Sequence, residues 1–323
     1  MEILILHPGG LGDIILSLPA VALIRNGCPS ARITIAGNID HLAAVVSGYV
    51  ENVVSLSTLP LHHLYIEDAL ADAEVCFWKS FDRIVSWTGS GDLEFTRKFR
   101  EIHSNLCIAS WRPSIGEERH VSQLFVDSLD IGIPLERKIA PATISLESEL
   151  IREGRRWLVE RGWNGQAPLT ALHPGAGSKA KRWPISRFID LAQYLVFKEK
   201  RKLLIVEGPA EPEIAKQIVK TLPETDAIPA ESIPLYLLAA ILKQCGLFVG
   251  NDSGIAHLAA ALNVPTVVLF GPTLPRHWAP LGAHVFVLRD PRGCAGCTSC
   301  GSDHSCLENI TVEQVIQICN FGS

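Results

Sequence analysis

The sequence predicts an α/β chain made of two Rossmann-like halves, each a parallel sheet wrapped by helices. Three observations carry this. The 323 residues suit about two domains at roughly 150 residues each. Short β-type runs alternate with helical patterns along the chain, as in βαβ units. The polar and glycine-rich segments fall just after strands, where such sheets bind ligands.

In the first half, MEILILH (1–7), ARITIAG (31–37), NVVSL (52–56), FDRIVSW (81–87) and NLCIAS (105–110) read as strands, and DIILSLPAVALIRN reads as a helix opening at Asp13. The stretch GIPLERKIAPATISLES (132–148) lacks periodicity and leads into the charged helix ELIREGRRWLVERGW, so the domains are set at 1–145 and 146–323. In the second half the strands are LTALHPGA (169–176), KLLIVEGP (202–209), LFVGNDS (247–253), PTVVLFGP (265–272) and HVFVLR (284–289). RFIDLAQYLVF after Pro184, EPEIAKQIVKTL before Pro223 and IPLYLLAAILKQC before Gly246 are the helices between them, with Pro and Gly where helix ends favour them. Two such halves place the ligand site in the cleft between them.

Hydrophobic residues make up 47% and charged residues 20%, which excludes long disorder. Lys+Arg 29 against Asp+Glu 34 gives a formal net charge of -5, so no global positive field exists to hold nucleic acid, and any anion must be met locally. Glu2 and Asp13 break the pattern of a secretion signal, and Leu235–Leu242 and Val264–Phe270 fall far short of the ~20 apolar residues a membrane span needs. A cytoplasmic chain is the expectation. Of nine Cys, Cys28, Cys76, Cys107, Cys245 and Cys319 sit in apolar contexts, as reduced thiols do. Cys294, Cys297, Cys300 and Cys306 cluster with His304. This is part of a zinc or ferredoxin spacing, but no Pro follows the fourth Cys, so a reduced or disulfide-capable loop without metal is expected.

Four motifs carry chemistry. HPGGLGD (7–13) follows the first strand, and Gly9, Gly10 and Gly12 permit a tight turn and close backbone approach. The spacing is not G-x-G-x-x-G, and Asp13 would repel a pyrophosphate, so NAD is disfavoured; Asp13 reads as a helix cap or as a general base. HPGAGSKAKRWP (173–184) combines Ser178, Lys179, Lys181 and Arg182 with exposed amides, suiting a phosphate or simply a solvated basic loop. In EGPAEPE (207–213), Glu211 suits a ribose hydroxyl pair or a helix dipole. In VGNDSGIAHLAAALNVPTVVLFGPT (249–273), Asn251, Asp252, Ser253 and Gly254 make a polar turn before a helix whose first amides suit phosphate oxygens. His257 is a ligand contact or a core histidine there, and Gly271 and Thr273 end the next strand on the same sheet edge. No G-x-S-x-G nucleophile turn and no Asp-x-Asp pair occurs.

In order and spacing these four segments resemble the bacterial ADP-heptose:lipopolysaccharide heptosyltransferases of glycosyltransferase family 9, across nearly the whole chain. The resemblance implies a GT-B fold with two Rossmann-like domains facing across a cleft, acceptor on the first and nucleotide sugar on the second. It also implies metal-independent inverting transfer without a cofactor. It implies that Asp13 is the base for the acceptor hydroxyl and that Gly9, Gly10 and Gly12 form the acceptor-side loop. Ser178 and Lys181 would hold the donor phosphate and Glu211 the ribose, while Asp252, Ser253, Gly254, His257, Gly271 and Thr273 would face the diphosphate and sugar. Many members carry Ser or Thr before Leu-Gly-Asp, where this chain has Gly9 and Gly10, so a side-chain contact there is lost or replaced by backbone. The implied partners are ADP-heptose and an anionic saccharide or lipid-linked acceptor, with peripheral contact at the inner membrane. Arg97, Lys98 and Arg100 are candidates for the acceptor's charge, or a solvated helix face. A nucleotide-sugar epimerase or hydrolase of the same fold, a non-catalytic nucleotide-sugar binder, and a metal or iron–sulfur carrier are the alternatives.

Overall fold

The computed structural model describes residues 1–129, 139–208, 213–290 and 306–321. The chain divides into two units, Met1–Ala142 and Thr143–Ser323.

The first unit runs β1 (Glu2–Leu6), α1 (Leu11–Gly27), β2 (Arg32–Gly37), α2 (Ile39–Val45), β3 (Asn52–Ser55), α3 (Asp72–Lys79), β4 (Arg83–Ser86), α4 (Leu93–Ile102), β5 (Leu106–Ile108) and α5 (Val121–Asp127). Its sheet is parallel with order β3-β2-β1-β4-β5. Ile3, Leu4, Ile5 and Leu6 of β1 are all fully buried, as expected of a central parallel strand covered on both faces. Leu4 and Leu6 point to one face, against Trp78, Phe95 and Phe99 from α3 and α4. α1 packs on α5. The chain leaves β1 for β2 and β3 on one side and returns to β4 and β5 on the other, so the loop after β1 lies at the switch point.

The second unit runs α6 (Ser148–Glu160), β6 (Leu169–His173), α7 (Ile185–Phe197), β7 (Lys202–Val206), α8 (Ile214–Val219), β8 (Ala227–Ala230), α9 (Leu235–Leu242), β9 (Leu247–Asn251), α10 (Gly254–Ala261), β10 (Thr266–Phe270), α11 (Pro275–Trp278), β11 (Val285–Arg289) and α12 (Val312–Phe321). All strands pair parallel in the order β11-β10-β9-β6-β7-β8. The switch point falls between β6 and β9. Leu203, Ile205, Val249, Val267 and Leu269 bury one face against Phe188, Leu191 and Leu195 of α7 and Val315 of α12. α6 packs on α9 so closely that a methyl on Gly154 would sit 2.6 Å from the Ala240 carbonyl carbon.

Four differences from the sequence reading have physical reasons. β8 was not anticipated, because Pro229 interrupts a short run; β8 is an edge strand paired only to β7, where the missing proline N–H costs nothing. α1 starts at Leu11 rather than Asp13, since the Gly10 carbonyl already accepts the Ile14 N–H at 3.0 Å. α8 opens at Ile214, after Glu213 at φ 76°, a left-handed conformation that interrupts the helix expected from residue 211. Cys76 is exposed, because α3 buries Trp78, and a residue two positions earlier lies on the opposite side of a helix. Cys245 and Cys319 are buried as expected; burial pushes both thiols up, Cys319 to about 12, which keeps them inert.

Candidate functional sites at the two switch points

In the first unit, the loop after β1 is built around His7, Gly9, Gly10 and Asp13. Asp13 is the third residue of α1, and its Oδ2 accepts the Gly10 N–H at 2.9 Å, so the residue does serve as a cap. Gly9 has no room for a side chain. A methyl there would lie 2.5 Å from the Asp13 Cβ and 2.7 Å from the His7 Cε1. Gly12 follows within the first turn of α1.

His7, which sequence reasoning passed over, is fully buried, and its Nδ1 accepts the Gly9 N–H at 3.1 Å. Its ring sits against Trp87, Trp111 and Phe125, with centroids 5.4, 6.2 and 5.5 Å away. Burial in this aromatic surround lowers its pKa to about 3. The sign of the consequence is fixed. An unfolded His7 binds a proton below about pH 6.5 that the native one refuses until about 3, so stability rises with pH across that window and is lost on acidification. One such proton is worth about 1.4 kcal/mol per pH unit. Urea unfolding followed from about pH 6 to about pH 4 is therefore expected to show a loss of roughly 2 to 3 kcal/mol from this residue. The slope should be shallower by one proton in His7→Phe, and an equal slope in both proteins would contradict the assignment.

Arg97, Lys98 and Arg100 do not form an anion site together. Arg97 pairs with Glu94 at 2.5 Å and Glu101 at 2.8 Å. Lys98 is buried, and its ammonium donates to the carbonyls of His63, Ile66 and Asp68, tying the segment after β3 to α4. Only Arg100 of the three is an exposed cation without a described ion pair. A charge run on α4 gave no hint that one of its members turns inward.

In the second unit, the loops after β6, β9 and β10, three neighbouring strands, meet at Asp252. Lys181 Nζ lies 2.8 Å from Asp252 Oδ2, and the Thr273 hydroxyl donates to the same oxygen at 2.5 Å. The Asp252 side chain is 6% exposed and that of Lys181 30%, so the carboxylate is held inside while the ammonium keeps one side open. Ser178 precedes the single 3₁₀ turn Lys179–Lys181, and its carbonyl accepts the Lys181 N–H at 3.1 Å. Gly271 lets the β10 loop close on that turn, since a methyl there would stand 3.2 Å from the Ala180 carbonyl oxygen.

Ser253 caps α10, its hydroxyl accepting the Ala256 N–H at 3.4 Å, and Gly254 opens the helix. The first amides of α10 have no intrahelical acceptor, which leaves a positive helix end beside Lys181 and Asp252. His257 lies buried further along α10.

Asn251, present in the predicted polar turn but not singled out, is the latch of the site. Its Oδ1 accepts the Trp183 N–H at 3.0 Å, and its Nδ2 donates to the Pro174 and Gly175 carbonyls at 2.8 and 3.3 Å. No sequence signal marks it, because its partners are backbone groups that only the fold brings together. Glu211 and the cluster Cys294, Cys297, Cys300 and His304 lie outside the described residues, while Cys306 is buried. Among the described residues, no group of three or more His, Cys, Asp or Glu could hold a metal ion.

Residues 122–307 match the family described as glycosyltransferase family 9 (heptosyltransferase). The chain belongs to glycosyltransferase family 9. The family member from Campylobacter jejuni named lipooligosaccharide heptosyltransferase 2 is 26% identical, with 98% of this chain and 97% of that protein aligned. Lipooligosaccharide heptosyltransferase 2 of Haemophilus influenzae is 33% identical over 129 residues, a stretch that spans only 37% of its length. The solved structure of Escherichia coli ADP-heptose lps heptosyltransferase II superposes with a TM-score of 0.75 at 20% identity, covering 99% of this chain and 98% of that one. The fold is thus GT-B, with two Rossmann-like units. No described helix is long and apolar enough to cross a membrane.

Proposed function

We propose that this family 9 glycosyltransferase moves a heptose from ADP-heptose to a lipopolysaccharide core or related envelope saccharide, with inversion and without a metal. The observation that carries the reading is the Lys181–Asp252–Thr273 cluster, set beside the N-terminus of α10 at the switch point of the second sheet. This arrangement suits a diphosphate leaving group, and the names of the relatives supply the sugar and the acceptor.

In the proposed reaction, Asp13 takes the proton of an acceptor hydroxyl as its oxygen attacks the anomeric carbon. The bond from that carbon to the diphosphate oxygen breaks, and the electron pair leaves with ADP. Asp13 then returns the proton to water. Lys181 and the first amides of α10 face the charge that grows on the diphosphate, a fixed electrostatic environment that needs no rearrangement at the moment of transfer. Ser178 and Gly254 contribute hydrogen bonds to the same phosphates, with Glu211 on the ribose and His257 near the sugar. Gly9 and Gly10 in the loop before Asp13, with Gly12 in the first turn of α1, form the acceptor side. The second unit is accordingly the donor side and the first the acceptor side. A lipid-linked acceptor places the enzyme as a peripheral protein at the cytoplasmic membrane face.

A thermal-shift series over ADP, ADP-heptose, UDP, GDP, CMP and NAD tests the donor directly. ADP and ADP-heptose are expected to raise Tm alone, because a ligand at about 100 times its Kd stabilises by about 2.7 kcal/mol. A shift with UDP or GDP and none with ADP would reject the adenine nucleotide, and a shift with NAD alone would reject sugar transfer.

A further inference from the structure

We infer that His7 is a positioning residue for Asp13: its imidazole accepts the hydrogen bond that fixes the Gly9–Gly10 turn on which the Asp13 carboxylate rests. The inference rests on the reading of Asp13 as the base.

The chain of contacts is short and continuous. His7 Nδ1 accepts the Gly9 N–H, the side-chain-to-backbone bond that an Asx turn makes two residues ahead. The next amide, that of Gly10, donates to Asp13 Oδ2. Gly9 is wedged between the two ends of this chain, its missing Cβ overlapping the space of Asp13 Cβ and His7 Cε1. A shift of the imidazole therefore moves Gly9, and with it the amide that holds the carboxylate.

The imidazole cannot drift. Its backbone N–H donates to the Ala36 carbonyl at 2.8 Å, extending the pairing of β1 with β2, and three aromatic rings enclose its side chain. Nor can it change its hydrogen-bonding role. A ring that stays unprotonated presents one acceptor and one N–H, and with Nδ1 accepting from Gly9 the proton sits on Nε2. Nε2 finds no hydrogen-bond partner among the described residues, although it is fully buried. A phenylalanine would fill this apolar surround without burying an unsatisfied nitrogen, so packing alone gives no reason for an imidazole here. The acceptor at Nδ1 is the feature that phenylalanine lacks. Such a bond changes the rate of a step that needs Asp13 in place, because general bases act only at hydrogen-bond distance from the proton they take.

The test compares the full-length wild-type protein, His7→Phe, His7→Asn and Asp13→Asn in transfer from ADP-heptose to a heptose-deficient lipopolysaccharide core, read as ADP release. Asparagine offers Oδ1 close to where Nδ1 stands. His7→Phe is expected to lower kcat by about 10- to 100-fold with the KM for ADP-heptose within about 3-fold of wild type, and His7→Asn to recover most of that loss. Near-ultraviolet circular dichroism, to which Trp87 and Trp111 beside His7 contribute, confirms that the first unit of each variant is folded. If His7→Phe keeps the wild-type kcat, or if His7→Asn loses as much as His7→Phe, the positioning role is overturned. If Asp13→Asn retains the wild-type kcat, the reading of Asp13 as the base fails instead. An inactive Asp13→Asn beside an unimpaired His7→Phe removes only this inference.

Discussion

Asp13→Asn is expected to lower kcat by about 10²- to 10⁴-fold, the usual contribution of a positioned general base, while ADP affinity stays within about 2-fold. Asparagine keeps the size of the residue, and its Oδ1 can still accept the Gly10 N–H that wild-type Asp13 accepts at 2.9 Å. The cap therefore survives and only the basic oxygen is lost. In the proposed function ADP sits on the second unit, at Lys181 and the loops beside Asp252 and Thr273, whereas Asp13 belongs to the first. Single-turnover kinetics with an independent ADP titration separates the two quantities. A variant that loses ADP binding as much as turnover would remove Asp13 from the role of base.

Lys181→Met is the second large effect. It is expected to lower kcat by about 10²-fold or more and to weaken ADP, because in the proposed reaction it removes the cation facing the charge that leaves with the diphosphate. It also has a structural cost of roughly 1–3 kcal/mol, since the Asp252 carboxylate is then held inside with the Thr273 hydroxyl as its remaining described side-chain partner. The two consequences come apart in a double variant. Adding Asp252→Asn removes the unpaired charge and should restore much of the stability while activity stays low, a non-additivity expected of groups in direct contact. Recovery of both together would mean that Lys181 serves only to neutralise Asp252.

These two residues also show how the sequence carried the site. Asp13 stood out because three glycines and an acid after a buried strand make an unusual turn, and the structure shows it as the third helical residue capping α1 through the Gly10 N–H. Lys181 and Asp252 stood in separate motifs 71 positions apart, and only the adjacency of β6 and β9 brings them to 2.8 Å. The central strands were readable because parallel strands buried on both faces are continuous apolar runs, whereas β8 hid behind Pro229 at an edge. Lys98 misled for a physical reason. A long aliphatic stem lets its ammonium reach inward to loop carbonyls, which a pattern of charges on a helix does not reveal. His7 and Asn251 do not stand out in the sequence because what they do is hold particular backbone groups, and those partners are set by the fold.

The central claim, transfer of heptose from ADP-heptose with charge stabilisation supplied by the protein, is tested most directly by mass spectrometry of a heptose-deficient core acceptor. The acceptor is incubated with the enzyme and ADP-heptose in excess EDTA. One added heptose per acceptor, one ADP released per transfer, and no consumption of donor when acceptor is omitted are expected. Donor consumed without acceptor, transfer abolished by EDTA and restored by a divalent metal, or transfer from a UDP- or GDP-sugar in place of ADP-heptose would contradict that claim.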